Sequence, residues 1–159
     1  MVGNKNKGGY FMLRDLFSFL FRKTVRMVAS ILPEYKTQGS AGFDLTIIED
    51  HSLEPNELYN FHTGIRADIP KDYCILVFPR SSLGQKKVII PNSIGVIDSD
   101  YRGEIKVPLL NLSNETLEFK TGMRVAQGIL IPARQCRLVK VDSLNETLRG
   151  IGGFGSTGI

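Results

Sequence analysis

Tyr73-Cys74-Ile75-Leu76-Val77-Phe78-Pro79 is an apolar run of β-formers that ends in a turn, Arg80-Ser81-Ser82-Leu83-Gly84. Its length suits one strand, and its aliphatic and aromatic side chains fit a pleated, half-buried surface. The same rhythm continues on both sides of it. Comparable runs lie at Thr24–Ser30, Phe43–Ile48, Leu58–Ile69, Lys87–Ile90, Ile94–Asp98, Glu104–Leu112, Thr116–Phe119, Arg124–Ile131 and Gln135–Val141. Glu54-Pro55-Asn56, Pro70-Lys71-Asp72, Pro91-Asn92, Ser113-Asn114 and Thr121-Gly122 separate them with residues that favour turns. Many short strands at this spacing predict an all-β sandwich, jelly roll or barrel. Ser81–Gln85 reads as one helical turn, and no other stretch of the domain reads firmly as helix.

The chain of 159 residues, 42% hydrophobic and 23% charged, is long enough for one domain with an ordinary core. Cys74 and Cys136 are far apart and form neither a C-x-x-C motif nor a disulfide framework, so both read as reduced thiols. His51 and His62 are too few for a zinc cluster or a Ser-His-Asp set. Sequons at Asn111, Asn114 and Asn145 carry no meaning without secretion.

The formal net charge of +4 is unevenly placed. Residues 1–26 hold Lys5, Lys7, Arg14, Arg22, Lys23 and Arg26 against Asp15 alone, a balance of +5 that leaves −1 for residues 27–159. The globular part is therefore not a basic nucleic-acid-binding domain. Arg14, Asp15 and Ser18 interrupt the apolar Tyr10–Phe21, which excludes the unbroken apolar core of a signal peptide or a membrane span. Leu13, Leu16, Phe17, Leu20 and Phe21 recur at helical spacing. Residues 1–23 are expected to be a poorly ordered extension rather than a membrane or partner anchor, and Met12 and Met27 are alternative starts.

The C-terminal Arg149-Gly150-Ile151-Gly152-Gly153-Phe154-Gly155-Ser156-Thr157-Gly158 is half glycine. Glycine loses the most backbone freedom on ordering, so this segment holds no fixed shape alone. Phe154 can lie on a base, Arg149 supplies charge, and Ser156, Thr157 and free N–H groups suit phosphate oxygens. Gly150, Gly152 and Gly155 match G-x-G-x-x-G, but the chain ends before the helix that a dinucleotide fingerprint requires. Composition alone leaves two readings open, a floppy tail and an arm that folds over a nucleoside polyphosphate.

Three further clusters carry possible chemistry. Arg80-Ser81-Ser82 offers a guanidinium, two hydroxyls and turn N–H groups to phosphate, and equally reads as an ordinary Ser-capped turn. Gly95-Val96-Ile97-Asp98-Ser99-Asp100-Tyr101-Arg102-Gly103-Glu104 reads as a hairpin turning at Ser99–Gly103. Alternation points Asp98 away from the core if Ile97 faces in, where it can hold and deprotonate a water, or simply favour the turn. Gly122-Met123-Arg124-Val125-Ala126-Gln127 puts an amide in a buried-looking strand, where it must bond backbone or face a ligand.

Ala41-Gly42-Phe43-Asp44-Leu45, the Arg-Ser-Ser turn, the Asp98–Tyr101 turn, Arg124-Val125-Ala126-Gln127 and the Gly-rich tail resemble, in this order, the five motifs of trimeric dUTPases (dUTP diphosphatases). The resemblance covers residues 24–158. It implies an all-β, jelly-roll-like dUTPase barrel over residues 24–148, assembled as a homotrimer, with residues 149–159 as a mobile arm. It implies three active sites at subunit boundaries that convert dUTP and water to dUMP and pyrophosphate, with Mg²⁺ held mainly by the triphosphate and water and not by direct protein ligands.

By the resemblance, Asp98 orients and deprotonates the water that attacks the α-phosphorus, and Tyr101 packs on deoxyribose, leaving no room for a 2′-hydroxyl. Main-chain groups around Gly95, Val96, Ile97 and Lys106, with Asn92 nearby, pair with uracil. Arg80, Ser81, Ser82 and Gln127 match phosphate-binding positions. Arg149, Phe154, Gly155, Ser156 and Thr157 match the arm, which covers a site in another subunit. Asp44 lies near the site in support. No nucleic-acid or membrane partner is expected, and the location is cytoplasmic, or host-cell cytoplasm for a viral protein.

Some positions depart from the family pattern. Phe43 stands where Tyr is usual, and Ser82 where Gly is common. Gly128 replaces a bulky apolar residue, which is expected to loosen packing on the threefold axis. The leader has no family counterpart. The related dCTP deaminases carry their activating glutamate at a position that aligns with Pro108, and proline does no acid–base work. A regulatory interaction protein on this fold is the reading from another class, and the full catalytic set makes such a role additional.

Overall fold

The structure is a computed structural model, and it describes residues 23–154 and Ser156. The expectations for residues 1–22, Gly155 and Thr157 lie outside the described residues.

The elements in chain order are β1 (Arg26–Val28), β2 (Phe43–Thr46), β3 (His51–Leu53), β4 (Leu58–Phe61), β5 (Arg66–Asp68), β6 (Tyr73–Pro79), α1 (Ser81–Gln85), β7 (Val88–Ile89), β8 (Gly95–Ile97), β9 (Val107–Asn111), β10 (Leu117–Phe119) and β11 (Arg124–Pro132). All strand pairs are antiparallel. A four-stranded sheet runs β2-β11-β6-β8 and a three-stranded sheet runs β4-β9-β7, with β1-β5 and β10-β3 as two-stranded ribbons. One apolar cluster joins them. Leu45, Ile75, Val77 and Val125 enter it from the larger sheet, Phe61, Val88, Val107 and Leu109 from the smaller, and Ala67, Leu53 and Phe119 from the ribbons. Such a shared core is what closes small antiparallel sheets on each other. Among the described residues no helix is long and apolar enough to cross a membrane.

The all-β reading of the sequence and the single helical turn at Ser81–Gln85 agree with the structure, and three local expectations do not. The run Leu58–Ile69 is two strands, because Gly64 takes φ +67 and breaks the extended chain. Gln135–Val141 is not a strand: it is exposed and joins none of the sheets among the described residues. The Ser99–Gly103 turn exists, with the Tyr101 N–H donating to the Asp98 carbonyl at 3.2 Å, but it does not close a hairpin. Its first arm, β8, pairs with β6, whereas the chain beyond it enters β9 between β4 and β7. The Ile105 N–H donates to Ile65 O at 2.8 Å and Thr63 Oγ1 to Ile105 O at 2.5 Å, so local bonds draw this strand to the other sheet.

Gly128 is buried on β11, and the Phe43 ring occupies the space its side chain would take, with ring atoms 2.5 Å from the position of a Cβ. The two departures at 43 and 128 are thus one packing unit within the chain. The Phe43 ring meets Tyr35 edge-on at 5.8 Å.

Asn111 closes the other side of the core. Fully buried, it donates through Nδ2 to Leu53 O (2.9 Å) and Glu115 O (2.8 Å), while Oδ1 accepts from the Ser113 N–H (2.9 Å) and hydroxyl (2.7 Å). One amide therefore ties the end of β9 to β3 and shapes the turn into β10. Asn111→Ala leaves the buried Leu53 carbonyl unpaired and the turn without its brace, at about 2–3 kcal/mol. Thermal unfolding should show a fall of roughly 4–12 °C in Tm, at about 2–4 °C per kcal/mol for a chain of this size. A fall under 1 °C would show that the turn holds without the amide.

Candidate functional site

The candidate residues gather at the two ends of β6. Arg80 and Ser81 follow its last residue, Pro79, which pairs with Ala126. Ile75 pairs with Ile97, which puts Asp98 beside Cys74 near the first residue of the strand. From Cys74 to Arg80 the chain spans six extended residues, about 20 Å at 3.3 Å each.

At the Pro79 end lies a polar cavity of about 360 Å³ lined by Lys36, Ser40, Ala41, Gly42, Asp44, Arg80, Ser81, Arg124 and Gln127. Asp44, on β2, is largely buried and sits between two guanidiniums. Arg124 Nη1 donates to its Oδ2 at 2.8 Å, and Arg80 Nε lies 3.4 Å from Oδ1. Arg80 also donates through Nη1 to Arg124 O at 3.2 Å. Gln127 reaches Pro79 O with its Nε2 at 3.5 Å, so its amide sits on the strand end that carries the turn. Two guanidiniums share one carboxylate here, and Lys36, paired with Glu34, adds a third cation to the lining. The carboxylate fixes two planar donor forks and leaves the lining net positive, an arrangement suited to phosphate oxygens.

At the Tyr73 end lies a second cavity of about 320 Å³, lined by Val96, Ile97, Asp98, Tyr101, Glu104, Ile105 and Lys106. Asp98 is exposed at the end of β8, as the alternation with Ile97 requires. It also borders a polar hollow of about 530 Å³ with Tyr73, Cys74, Ser99, Asp100, Ala133, Arg134 and Gln135. Burial pushes the Cys74 thiol up, and the Asp98 charge adds to it, so Cys74 remains a neutral packing residue. β8 is the outer strand of its sheet and has no strand partner on its free side among the described residues. Its main-chain donors and acceptors there are open to a planar polar ligand. Val96, 60% exposed, projects between them.

The Tyr101 ring folds back over Gly103, where a Cβ would collide with it, and its hydroxyl donates to Glu104 O at 3.0 Å. Arg102 Nη1 donates to the Ser99 and Tyr101 carbonyls at 2.8 and 3.1 Å, and Nη2 to Asp68 Oδ1 at 2.8 Å. Hydrogen bonding from Arg26, with the Arg26 and Arg102 charges, lowers the Asp68 carboxyl below its ordinary value against the opposing effect of burial. The turn bearing Asp98 and Tyr101 is thus fastened to β5 by a surface network.

The structure brings Asp44, Arg80, Ser81 and Gln127 to one cavity and Val96, Ile97, Asp98, Tyr101 and Lys106 to the other. Ser82, Asn92 and Gly95 line neither. Ser82 is exposed on α1, Asn92 precedes β8 with its Nδ2 on Ile94 O at 3.5 Å, and Gly95 packs against Val77. Arg149, Phe154 and Ser156 also line neither cavity. Their segment curls on itself through Gly150 N–H to Thr147 O, Arg149 Nε to Gly152 O and Ser156 N–H to Gly153 O, with Phe154 wholly exposed. Sequence reading missed Lys36, Arg124, Arg102 and Glu104. Arg124 lay within a motif singled out for its Gln, and its exposed position on a strand beside Gln127 was the available signal. Glu104 acts through His62 and Gly64, and Arg102 through Asp68 as well as its own turn, while Lys36 joins the cavity from the loop before β2. Among the described residues, no group of three or more His, Cys, Asp or Glu could hold a metal ion.

A family model described as dUTPase matches residues 29–158. Deoxyuridine 5'-triphosphate nucleotidohydrolase of Nautilia profundicola is 45% identical over 130 residues, 81% of this chain and 92% of the relative. The protein of the same name from Chlamydia pneumoniae is 49% identical over 131 residues, 80% and 90% of the two chains. Among solved structures, the dUTPase of Streptococcus mutans superposes with a TM-score of 0.67 at 28% identity, over 72% of this chain and 99% of that one. The Staphylococcus bacteriophage 80alpha dUTPase with dUPNHPP gives a TM-score of 0.78 at 25% identity, over 86% and 99%. With a family model over most of its length, relatives of 45 and 49% identity and a shared fold, the chain belongs to the dUTPase family.

Proposed function

We propose that the protein hydrolyses dUTP to dUMP and pyrophosphate, and that it does so as a homotrimer in which each site draws on more than one copy. The observation that carries this reading is the separation of the two half-sites. Asp98 and the Arg80–Ser81 turn occupy opposite ends of one rigid strand, about 20 Å apart along it, and share no cavity. A water activated by Asp98 and the phosphates held by Arg80 meet only if a second copy supplies one of the two ends. The exposed extended segment after Pro132, with Leu138 and Leu144 in solvent, gives the chain the reach to lie on a neighbour.

In this mechanism the free edge of β8 pairs with uracil, which it distinguishes from cytosine because O4 and the 4-amino group have opposite hydrogen-bond polarity. Tyr101 packs on the sugar. Arg80, Ser81, Ser82 and Gln127 hold the phosphates, Asp44 aims the guanidiniums, and Asp98 takes a proton from the attacking water as it adds to the α-phosphorus. Pyrophosphate leaves toward the cation-lined cavity. Asn92 and Gly95 shape the strand that meets the base. Arg149, Phe154, Gly155, Ser156 and Thr157 close over the ligand from another copy. Enzymes of this family generally use a divalent cation; here we assign Mg²⁺, carried on the triphosphate and water, where it neutralises phosphate charge. We propose the cytoplasm as its location, or the host-cell cytoplasm for a viral protein.

Asp98→Asn keeps size and removes the base. Substrate titration should give near-native dUTP binding, while single-turnover rates should fall by about 10²–10⁴. Near-native turnover would sink the assignment. Removing residues 149–159 should leave a folded oligomer with little activity, since no core residue is lost. Mixed oligomers of Asp98→Asn chains and arm-less chains should regain activity. Subunit mixing verified by mass spectrometry without any regain would show that each arm serves the Asp98 of its own chain.

A further inference from the structure

We infer that Glu104 is a positioning residue for substrate selection: its anchored main chain holds the Tyr101 ring at the one placement that admits a deoxyribose and refuses a ribose. The inference rests on the reading of Tyr101 as the sugar-facing ring. The ring is 44% exposed on the cavity wall beside Asp98, so packing alone does not fix it. Two contacts do. Gly103 lets the ring lie flat against the turn, and the Tyr101 hydroxyl donates to the carbonyl of Glu104 at 3.0 Å.

That carbonyl belongs to a residue outside any strand, just before β9. Its place is set by the Glu104 side chain, which runs the opposite way. Oε1 accepts the Gly64 N–H at 2.8 Å, and Oε2 bonds His62 Nδ1 at 2.8 Å. His62 is itself held through its N–H on Glu49 Oε1 at 2.8 Å. Burial pushes the Glu104 carboxyl up, but the Gly64 N–H, the bond to His62 and the Lys106 charge together hold it below its ordinary value of 4.5, so it stays an acceptor at neutral pH. The side chain thus bolts the turn to the strap between β4 and β5. The main chain of the same residue then fixes the ring. A wall that rejects one hydroxyl works only while it cannot retreat, and a displacement on the order of 1 Å at a site can alter rate by about 10²-fold.

The test compares kcat/KM for dUTP and for UTP in the full-length protein, with folding checked by thermal melting. Glu104→Ala and Tyr101→Phe should each lower the dUTP-to-UTP ratio about tenfold or more, because each releases the same ring. The double variant should fall no further than the worse single one. Glu104→Gln, which can still accept from Gly64 and donate to His62, should keep most of the native ratio. A merely structural role would lower Tm or rate for both nucleotides and leave the ratio alone. A folded Glu104→Ala protein with the native ratio overturns the inference. If Glu104→Ala does not fold, Tyr101→Phe decides alone, since it keeps every Glu104 side-chain contact, and an unchanged ratio overturns the inference. Tyr101→Ala separates the two levels: an unchanged ratio there overturns the reading of the ring itself, whereas a relaxed ratio leaves that reading standing whatever Glu104 does.

Discussion

The pairing of β6 on both sides fixes everything of functional interest in this chain. All seven residues of β6 pair with β11 along one edge, and Ile75, Leu76 and Val77 pair with β8 along the other. An extended strand has a set rise, so its register determines how far apart its two ends lie. Tyr73 marks the end where Asp98 stands, and Pro79 the end where the Arg80–Ser81 turn begins. Because both neighbours share this strand, neither end can shift without breaking the ladder through the middle of the core. The two half-sites are rigid for the same reason that they are separate.

Each half-site is organised differently. The cation-lined cavity depends on charge balance: Asp44 is largely buried between Arg80 and Arg124, and a carboxylate at that depth holds two guanidiniums in fixed planes. Ion pairs of this kind give direction more than stability. The cavity around Asp98 depends on backbone geometry. A turn that lacks strand partners is held by Arg102 on three oxygens and by Glu104 on the strap at 62–64. The exposed Arg102 contacts add little to global stability. Their effect is local, in narrowing the positions open to Asp98 and Tyr101. The segment after Pro132 shows the opposite condition. Leu148, Ile151 and Phe154 are fully exposed, so a chain taken alone leaves unburied a large apolar area that a neighbouring copy or a ligand can cover.

Departures from a family pattern acquire meaning only as pairs. Phe43 and Gly128 look unrelated in sequence, one a lost hydroxyl and the other a lost side chain. On adjacent strands they share one volume, the ring of the first filling the space above the second. His62 and Glu104 form a similar unit through a hydrogen bond across 42 residues of chain. Neither relation can be read from spacing, because the contacts arise from strand pairing and not from local periodicity.

The sequence by itself determined the β class, the limits of most strands, the helical turn at Ser81–Gln85 and the order of the five motifs. Alternation, turn residues and side-chain chemistry are local properties and survive without the fold. Asp98 was legible because an acid follows a strand at a turn, and Arg80 because a cation and two hydroxyls follow another. Tertiary structure alone decided which strands meet. It divided Leu58–Ile69 at Gly64, sent the chain after Tyr101 to a different sheet from β8, and left Gln135–Val141 unpaired. It also brought Lys36 and Arg124 to the cation-lined cavity and gave Glu104 its two anchors. These outcomes depend on main-chain hydrogen bonds between residues distant in sequence, and on one core that all four sheets must fill together. No local pattern encodes either.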